Sequence, residues 1–403
     1  MTRVLVVDDS QFMRTVIGNA LTGAGYEVET AANGSEGVEL ADTFDPDVVT
    51  MDVEMPEMDG IDAVERIMAT NPTAILMLSV HTERGAEATF DALERGAVDF
   101  LHKPDGTGSR NIAHLTDEVI ETVDDLAEAD VSSVALARAS ATAYTTGADR
   151  VSSPGHTTTT GSAVAGGSDV QSNVDHSAPG PSVTPGIGSD VEHDEPAPIA
   201  VDGERAAAPT IVIGASTGGP KIIERLFERL PADLEAKVLV VQHMPPGFTT
   251  RLAERLDDRS AYDVTEATDR QRLEPGEAAV APGDFHLEVV SNLGETLRLG
   301  LDDGERVHGV RPAIDVTMHS AAERVSDALC GVVLTGMGHD GAAGIEAIKA
   351  AGGHTIAQDE ATSPVFGIPC QAIETGDVDT VAPAGGVADA IVDAFTTDGE
   401  NDD

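Results

Sequence analysis

The chain is short of the residues that mark an extracellular, membrane or nucleic-acid-binding protein. Cysteine is nearly missing, with Cys330 and Cys370 alone among 403 residues. Two thiols cannot build a disulfide framework, and the reading is a reduced, cytoplasmic compartment. Basic residues are scarce: 24 Lys plus Arg stand against 71 Asp plus Glu, four of the 24 are lysines, and the formal net charge is −47. So acidic a surface repels phosphate backbones and anionic lipid, which argues against nucleic acid as a partner. No apolar run approaches the ~18 residues of a membrane span. The opening MTRVLVVDDS turns acidic after four apolar residues, so neither membrane insertion nor a signal peptide is expected. Hydrophobic residues, at 41%, are sufficient for real cores, and at about 150 residues per domain the length suggests two or three of them.

The acid excess runs through both halves of the chain, so an acidic tail does not explain it. At ordinary salt such a charge strains the folded state by self-repulsion. At molar salt the Debye length shrinks to ~3 Å and the repulsion is screened. The composition therefore points to a protein adapted to a salt-rich cytoplasm, with lysine scarcity as the second sign.

Residues 1–126 alternate strand-like and helix-like stretches: RVLVVDD, a helix over 10–23, YEVETA, a helix around 34–43, DVVTMD, a helix over 60–69, AILMLSV, a helix over 84–95, and VDFLHKP. Short connections between such units predict an α/β domain with a parallel sheet. Residues 127–207 are rich in Ser, Thr, Gly and Pro with few large apolar side chains. That composition cannot offset chain entropy, and it predicts a flexible linker. Residues 208–397 return to α/β alternation, with PTIVIGAS, AKVLVVQH and LCGVVLTG as strands and helices over 219–230, 248–257 and 341–351. Between 262 and 310, AAVAPGD, FHLEVV and LRLGL suggest an antiparallel insertion. The fold expected is thus two doubly wound parallel-sheet domains joined by a disordered linker, and residues 398–403 read as a frayed acidic tail.

Chemistry gathers at predicted strand ends. Asp8 and Asp9 follow RVLVV, Asp52 ends DVVTM, Ser79 ends AILML, and Lys103 follows VDFLH. Ligands bind at that edge of an open α/β sheet. Clustered carboxylates there repel one another unless a hard cation sits among them, and Mg²⁺ suits oxygen ligands. Acid pair, central aspartate, hydroxyl and lysine together suit phosphorylation of Asp52, with Mg²⁺ and Lys103 neutralising the phosphoryl oxygens. In the motifs VLVVDDS, DVVTMDVEMPEMDG, LS and HKP, about 120 residues resemble the flavodoxin-like receiver domain of response regulators. The resemblance implies Asp52 as phosphoacceptor. It implies Asp9, Asp52 and the Glu54 backbone carbonyl as Mg²⁺ ligands, with Asp8 acting mostly through water. It further implies a switch in which Ser79 moves toward the phosphoryl group and Phe100 changes rotamer, and a histidine kinase as phosphodonor.

The second constellation starts at PTIVIGASTGGP, where Gly214-Ala215-Ser216-Thr217-Gly218 fits the G-x-S-x-G turn that projects a serine above a sheet. The Thr217 amide, at a helix start, is a natural oxyanion donor. A Gly-rich turn after a strand also cradles phosphate, but the P-loop lysine is absent from its place and Lys221 falls inside the following helix. AKVLVVQHMPPGF puts His243 at the end of the next strand, and LCGVVLTGMGHDGAAG puts Asp340 in a glycine-rich loop after a later one. Ser216, His243 and Asp340 can therefore converge as nucleophile, base and orienting carboxylate. The chain order Ser…His…Asp sets this apart from the α/β-hydrolases, which run Ser…Asp…His.

At this point IGASTGGP, QHMPPGFT, APGDFHL, RPAIDV, LTGMGHDGAAG and AQDEATSPVFGIP, in this order over about 190 residues, are similar to the CheB-type methylesterase domain. A receiver ahead of it makes the whole chain resemble the CheB family of chemotaxis methylesterases. The resemblance implies catalytic Ser216, His243 and Asp340 with no cofactor for the esterase reaction, and a second oxyanion amide near Met337. It implies hydrolysis of receptor glutamate methyl esters, deamidation of some receptor glutamines, and an unphosphorylated receiver that covers the active site. Departures are peripheral: Thr317-Met318-His319 after RPAIDV, His339 beside Asp340, and a long linker.

Other reactive side chains read as structural. His286 suits a hydrogen bond at least as well as the site edge. His339 cannot aim at an orienter one residue away. His319 and His354 read as solvated near helix ends, Cys330 as core, and Cys370 lacks a partner for a nucleophilic role. Two other classes of function stay open: a receiver-controlled protein whose second domain only binds, for example a nucleotide at GASTGG, and a general esterase of small molecules.

Overall fold

In the computed structural model, the described residues are 1–80, 83–103, 109–128, 199 and 204–397. The expected linker lies almost wholly outside them, and the acidic tail 398–403 entirely so.

The first α/β unit runs β1 (Arg3–Val7), α1 (Gln11–Ala24), β2 (Glu27–Ala31), α2 (Gly34–Phe44), β3 (Val48–Asp52), α3 (Gly60–Thr70), β4 (Ala74–Val80), α4 (Glu83–Glu94), β5 (Asp99–Lys103) and α5 (Ser109–Glu128). Its five strands are all parallel in the order β2-β1-β3-β4-β5. Residues Val4 to Val7 are fully buried, as expected of a central strand covered on both faces. Side chains start the helices: Ser10, Asn33 and Asp59 accept the amides of Met13, Glu36 and Asp62. These caps fix where each strand-end loop stops, and so where Asp8, Asp9 and Asp52 emerge.

In the second unit a short β6 (Glu204–Arg205) precedes β7 (Thr210–Ala215), α6 (Gly219–Arg229), β8 (Lys237–Gln242), α7 (Phe248–Arg259) and β9 (Asp263–Glu266). Then come β10 (Arg272–Leu273), β11 (Glu277–Val280), β12 (His286–Leu293), β13 (Thr296–Asp302), α8 (Ile314–Arg324), β14 (Leu329–Val333), α9 (Ala342–Ala350) and β15 (His354–Gln358). The unit closes with α10 (Gly367–Glu374), β16 (Thr380–Ala382), α11 (Val387–Phe395) and β17 (Thr396–Thr397), which pairs antiparallel with β6. Seven strands form a parallel sheet in the order β16-β15-β14-β7-β8-β11-β9. Strand order turns back at β7, between β14 and β8, and a crevice opens there at the carboxyl ends of the strands.

Two expectations need correction. The antiparallel insertion is smaller than the 262–310 span suggests: β9 and β11 join the parallel sheet beside β8, and only β10, β13 and β12 pair antiparallel. Strands of four residues carry too little pattern to name their partners. His354 is not at a solvated helix end; it opens β15, with Nε2 3.1 Å from Thr380 Oγ1.

The two units touch where α4 and β5 of the first meet α6 and α7 of the second. Phe100 stacks on Phe248 with ring centroids 4.6 Å apart and planes 13° from parallel. Glu94 meets both Arg255 and Arg259, and Glu224 holds Arg255 Nε at 2.6 Å. Lys221 Nζ donates to the Leu93 carbonyl at 3.2 Å.

Candidate active site

β7, β8 and β14 deliver three loops to one crevice. The turn after β7 carries Ser216, the first residue after β8 is His243, and the loop after β14 carries Met337 and Asp340. Backbone bonds tie the loops together: the Ser216 amide donates to the Thr335 carbonyl at 3.0 Å and the His243 amide to Ala215 at 3.1 Å. Gln242 Nε2 donates to the Ser216 carbonyl at 2.9 Å and fixes the turn from below. Glycine is required where the loops cross. A Cβ on Gly336 would come within 2.6 Å of the Ser216 Cβ, and Gly218, at φ +76°, lies in the left-handed region.

His243 Nε2 lies 2.8 Å from Asp340 Oδ2. Asp340 is buried and takes the amides of Ile314 (2.7 Å) and Asp315 (2.9 Å) as well. Burial works to raise its carboxyl, but the His243 hydrogen bond and charge, with these two amides, hold it below the usual carboxylate range. With Nε2 on the aspartate, Nδ1 is the ring edge left for a serine proton. Ser216 Oγ and the ring are not hydrogen-bonded among the described residues, a looseness usual before substrate binds.

A cavity of about 800 Å³ opens over these groups, lined on one side by Ser216, His243 and Met337 and on the other by Asp99, Phe100 and His102 of the first unit. Asp99 is buried and takes hydrogen bonds from its neighbour's amide, the Thr217 side chain and the Gly218 amide. Burial nevertheless pushes its carboxyl up to about 6. Sequence reading missed Asp99; nothing in VDFLHKP sets it apart from any strand-edge acid. It also missed His308, whose Nε2 lies 2.8 Å from Asp315 Oδ2. His308, Asp315 and Asp340 place ligand atoms within 4.8 Å of one another, but amide and imidazole donors already meet each of those oxygens.

The remaining candidates resolve by their contacts. His286 is buried, with Nδ1 accepting the Ala313 amide at 3.2 Å and Nε2 facing the Glu305 carbonyl at 2.9 Å, which is a structural tie. His339 is exposed, with its ring edge-on to His308 at 4.4 Å. Cys330 is buried in β14, and desolvation pushes its thiol up. Lys221 Nζ is engaged by the Leu93 carbonyl, so it is not free to serve the GASTGG turn as the cation of a nucleotide cradle.

At the first unit's strand ends, Asp8, Asp9 and Asp52 bring carboxylate oxygens within 4.8 Å of one another. Lys103 Nζ bridges Asp8 Oδ2 and Asp52 Oδ1, at 2.7 Å each. Burial pushes Asp52 up to about 6, the charges of Asp8 and Asp9 add to the rise, and Lys103 opposes it. Crowded hard oxygens with one partly exposed flank fit a Mg²⁺ ion, which would relieve that repulsion. Ser79 is fully buried, its Oγ 3.3 Å from the Gly85 carbonyl. Glu54 is exposed in the loop after Asp52.

A family model described as CheB methylesterase matches residues 211–391, and one described as response regulator receiver domain matches residues 4–110. The chain is 47% identical over 397 residues to a protein-glutamate methylesterase/protein-glutamine glutaminase of Haloarcula marismortui, covering 98% of each. The protein of the same name from Halobacterium salinarum is 46% identical over 398 residues, covering 98% of this chain and 99% of the relative. That of Pyrococcus horikoshii is 40% identical over 395 residues, covering 97% and 93%.

Proposed function

Because the chain belongs to the CheB methylesterase family and carries a receiver ahead of that domain, we propose that it is a phosphorylation-controlled protein-glutamate methylesterase of chemoreceptors. It hydrolyses glutamate γ-methyl esters and, by the same route, deamidates some receptor glutamines. The observation that carries the reading is the His243–Asp340 hydrogen bond at the mouth that also holds Ser216.

Ser216 Oγ attacks the ester carbonyl while His243 takes its proton, and Asp340 stabilises the resulting imidazolium. The Thr217 and Met337 amides receive the oxyanion; one lost donor costs ~2.7–4 kcal/mol of barrier. The tetrahedral intermediate collapses with loss of methanol, which takes the proton from His243. Water, activated by the same imidazole, then releases the glutamate carboxylate and restores Ser216. With a glutamine substrate the leaving group is ammonia.

Control lies in the receiver. Asp52 accepts a phosphoryl group from a chemotaxis histidine kinase. Asp9, Asp52 and the Glu54 carbonyl would hold Mg²⁺, with Asp8 acting through water; the ion supplies charge neutralisation for the phosphoryl oxygens. Lys103 neutralises the remainder, and Ser79 and Phe100 answer the new charge. In the resting state the receiver covers the ester site, a reading supported by the shared cavity, the Asp99 contacts and the Phe100–Phe248 stack. We place the enzyme in a salt-rich cytoplasm on its charge and its relatives from halophiles.

The test is methanol release from methylated chemoreceptor membranes in molar KCl. Wild type with phosphodonor is expected to release methanol and Ser216→Ala only a residual amount. No release from either would return the protein to the class of receiver-controlled binding proteins.

A further inference from the structure

Behind the proposed triad stands a second histidine–carboxylate pair. Asp315, in the first turn of α8, is buried. Its Oδ1 accepts the amides of Gly341 at 2.9 Å and Gly344 at 2.7 Å. Its Oδ2 faces His308 Nε2 at 2.8 Å. Its own amide donates to Asp340 Oδ1 at 2.9 Å, and His308 Nε2 is 4.0 Å from that same oxygen.

Part of this is an ordinary helix cap. Gly341 precedes α9 and has no side chain to cap it, so a carboxylate from α8 serves the helix start. A cap needs only Oδ1, however. The other bonds run toward Asp340, which sits in a loop between Gly338 (φ +79°) and Gly341 (φ +104°). Two glycines in the left-handed region give that loop freedom a catalytic carboxylate cannot keep. Asp315 removes it twice: its side chain holds the residue after Asp340, and its amide holds the Asp340 carboxylate. His308 in turn orients Asp315.

We propose that Asp315 and His308 are positioning residues for ester hydrolysis, locking the Asp340 carboxylate in line with His243 through the bonds to Gly341, Gly344 and Asp340. The proposal rests on Ser216, His243 and Asp340 as the triad.

The test is labelling of Ser216 in the full-length chain by a fluorophosphonate probe, with phosphodonor and Mg²⁺ present, alongside the downfield proton resonance of the His243–Asp340 hydrogen bond. Asp315→Asn keeps the shape and is expected to slow labelling about 10²-fold while the final extent stays complete. His308→Gln is expected to slow it less, and both are expected to shift the downfield proton. His308 is 30% exposed, so its substitution disturbs no core packing and carries the test if Asp315→Asn fails to fold. Labelling rates within about twofold of wild type in the folded variants would overturn the positioning role. So would a reduced extent at an unchanged rate, which is the mark of partial unfolding alone. An unlabelled wild type would instead overturn the nucleophile assignment beneath the proposal.

Discussion

Asp99 puts a carboxyl group of the receiver against the turn that carries Ser216, and its protonation bears on whether the receiver stays there. Burial against Thr217 and Gly218 pushes the group up to about 6. With the receiver withdrawn, Asp99 returns to water and to about 3.9. A group whose value is raised in one state binds its proton more tightly there, so protonation favours the closed arrangement. That contribution is fully present below the ordinary value and is lost as pH rises through about 6. We expect phosphodonor-free methanol release, taken as a fraction of the phosphodonor-treated rate at the same pH, to climb between about pH 4 and about pH 6. Asp99→Asn cannot titrate and is expected to flatten that climb; an unchanged profile in the variant would remove Asp99 from the control. On the far side of the receiver, Asp52→Asn removes the proposed phosphoacceptor. It is expected to leave the resting rate in place and abolish stimulation by phosphodonor, measured in the same assay.

At the scale of elements, α4 and α7 form the ionic part of the contact between the two units. Glu94 serves both Arg255 and Arg259, and these side chains are 8% to 24% exposed. A pair so placed is worth more than an exposed one but less than a fully desolvated one. Glu94→Gln is expected to cost the closed state about 1 kcal/mol and raise the phosphodonor-free rate about fivefold; a rate equal to wild type would mean that the ion pairs do not hold the receiver. The second unit's helices at this contact, α6 and α7, are legible in the sequence because KIIERLFER and FTTRLAERLDDR carry apolar residues at helical spacing. So are the strand ends, where RVLVV, DVVTM, TIVIGA and KVLVVQ run apolar into the proposed site residues. The helix α8 is not. Asp315 and Thr317 are buried on it beside Ile314 and Met318, because Thr317 Oγ1 bonds the Leu287 carbonyl and Asp315 bonds the loop of Asp340. Buried polar positions break the apolar stripe that would announce the helix. His308 was invisible for a related reason: its partner is close in sequence, but the functional group that partner steadies is reached only through the fold.

For the whole molecule, charge is the governing quantity. A formal net charge of −47 charges both units alike, so each repels itself and each repels the other. The few cations are not spread evenly against this field. Arg251, Arg255 and Arg259 line one face of α7, opposite Glu87 and Glu94 of α4, and Lys103 stands between Asp8 and Asp52. Salt therefore acts in two directions. At molar concentration the Debye length of ~3 Å screens the long-range repulsion, while the partly buried pairs at 2–4 Å separation are screened much less. Repulsion among dozens of exposed carboxylates is the larger sum, so folding gains on balance. Thermal unfolding followed by circular dichroism is expected to show a higher Tm in molar KCl than at about 0.1 M, by more than the few degrees that a change of about 1 kcal/mol produces. Equal or higher stability at low salt would mean that the acidic surface is not an adaptation to salt. The same melt bears on closure. If the α4–α7 ion pairs keep their strength while the units stop repelling, Glu94→Gln should raise the phosphodonor-free rate in molar KCl as well as in dilute buffer. An effect seen only in dilute buffer would instead assign the resting contact in salt to the Phe100–Phe248 stack.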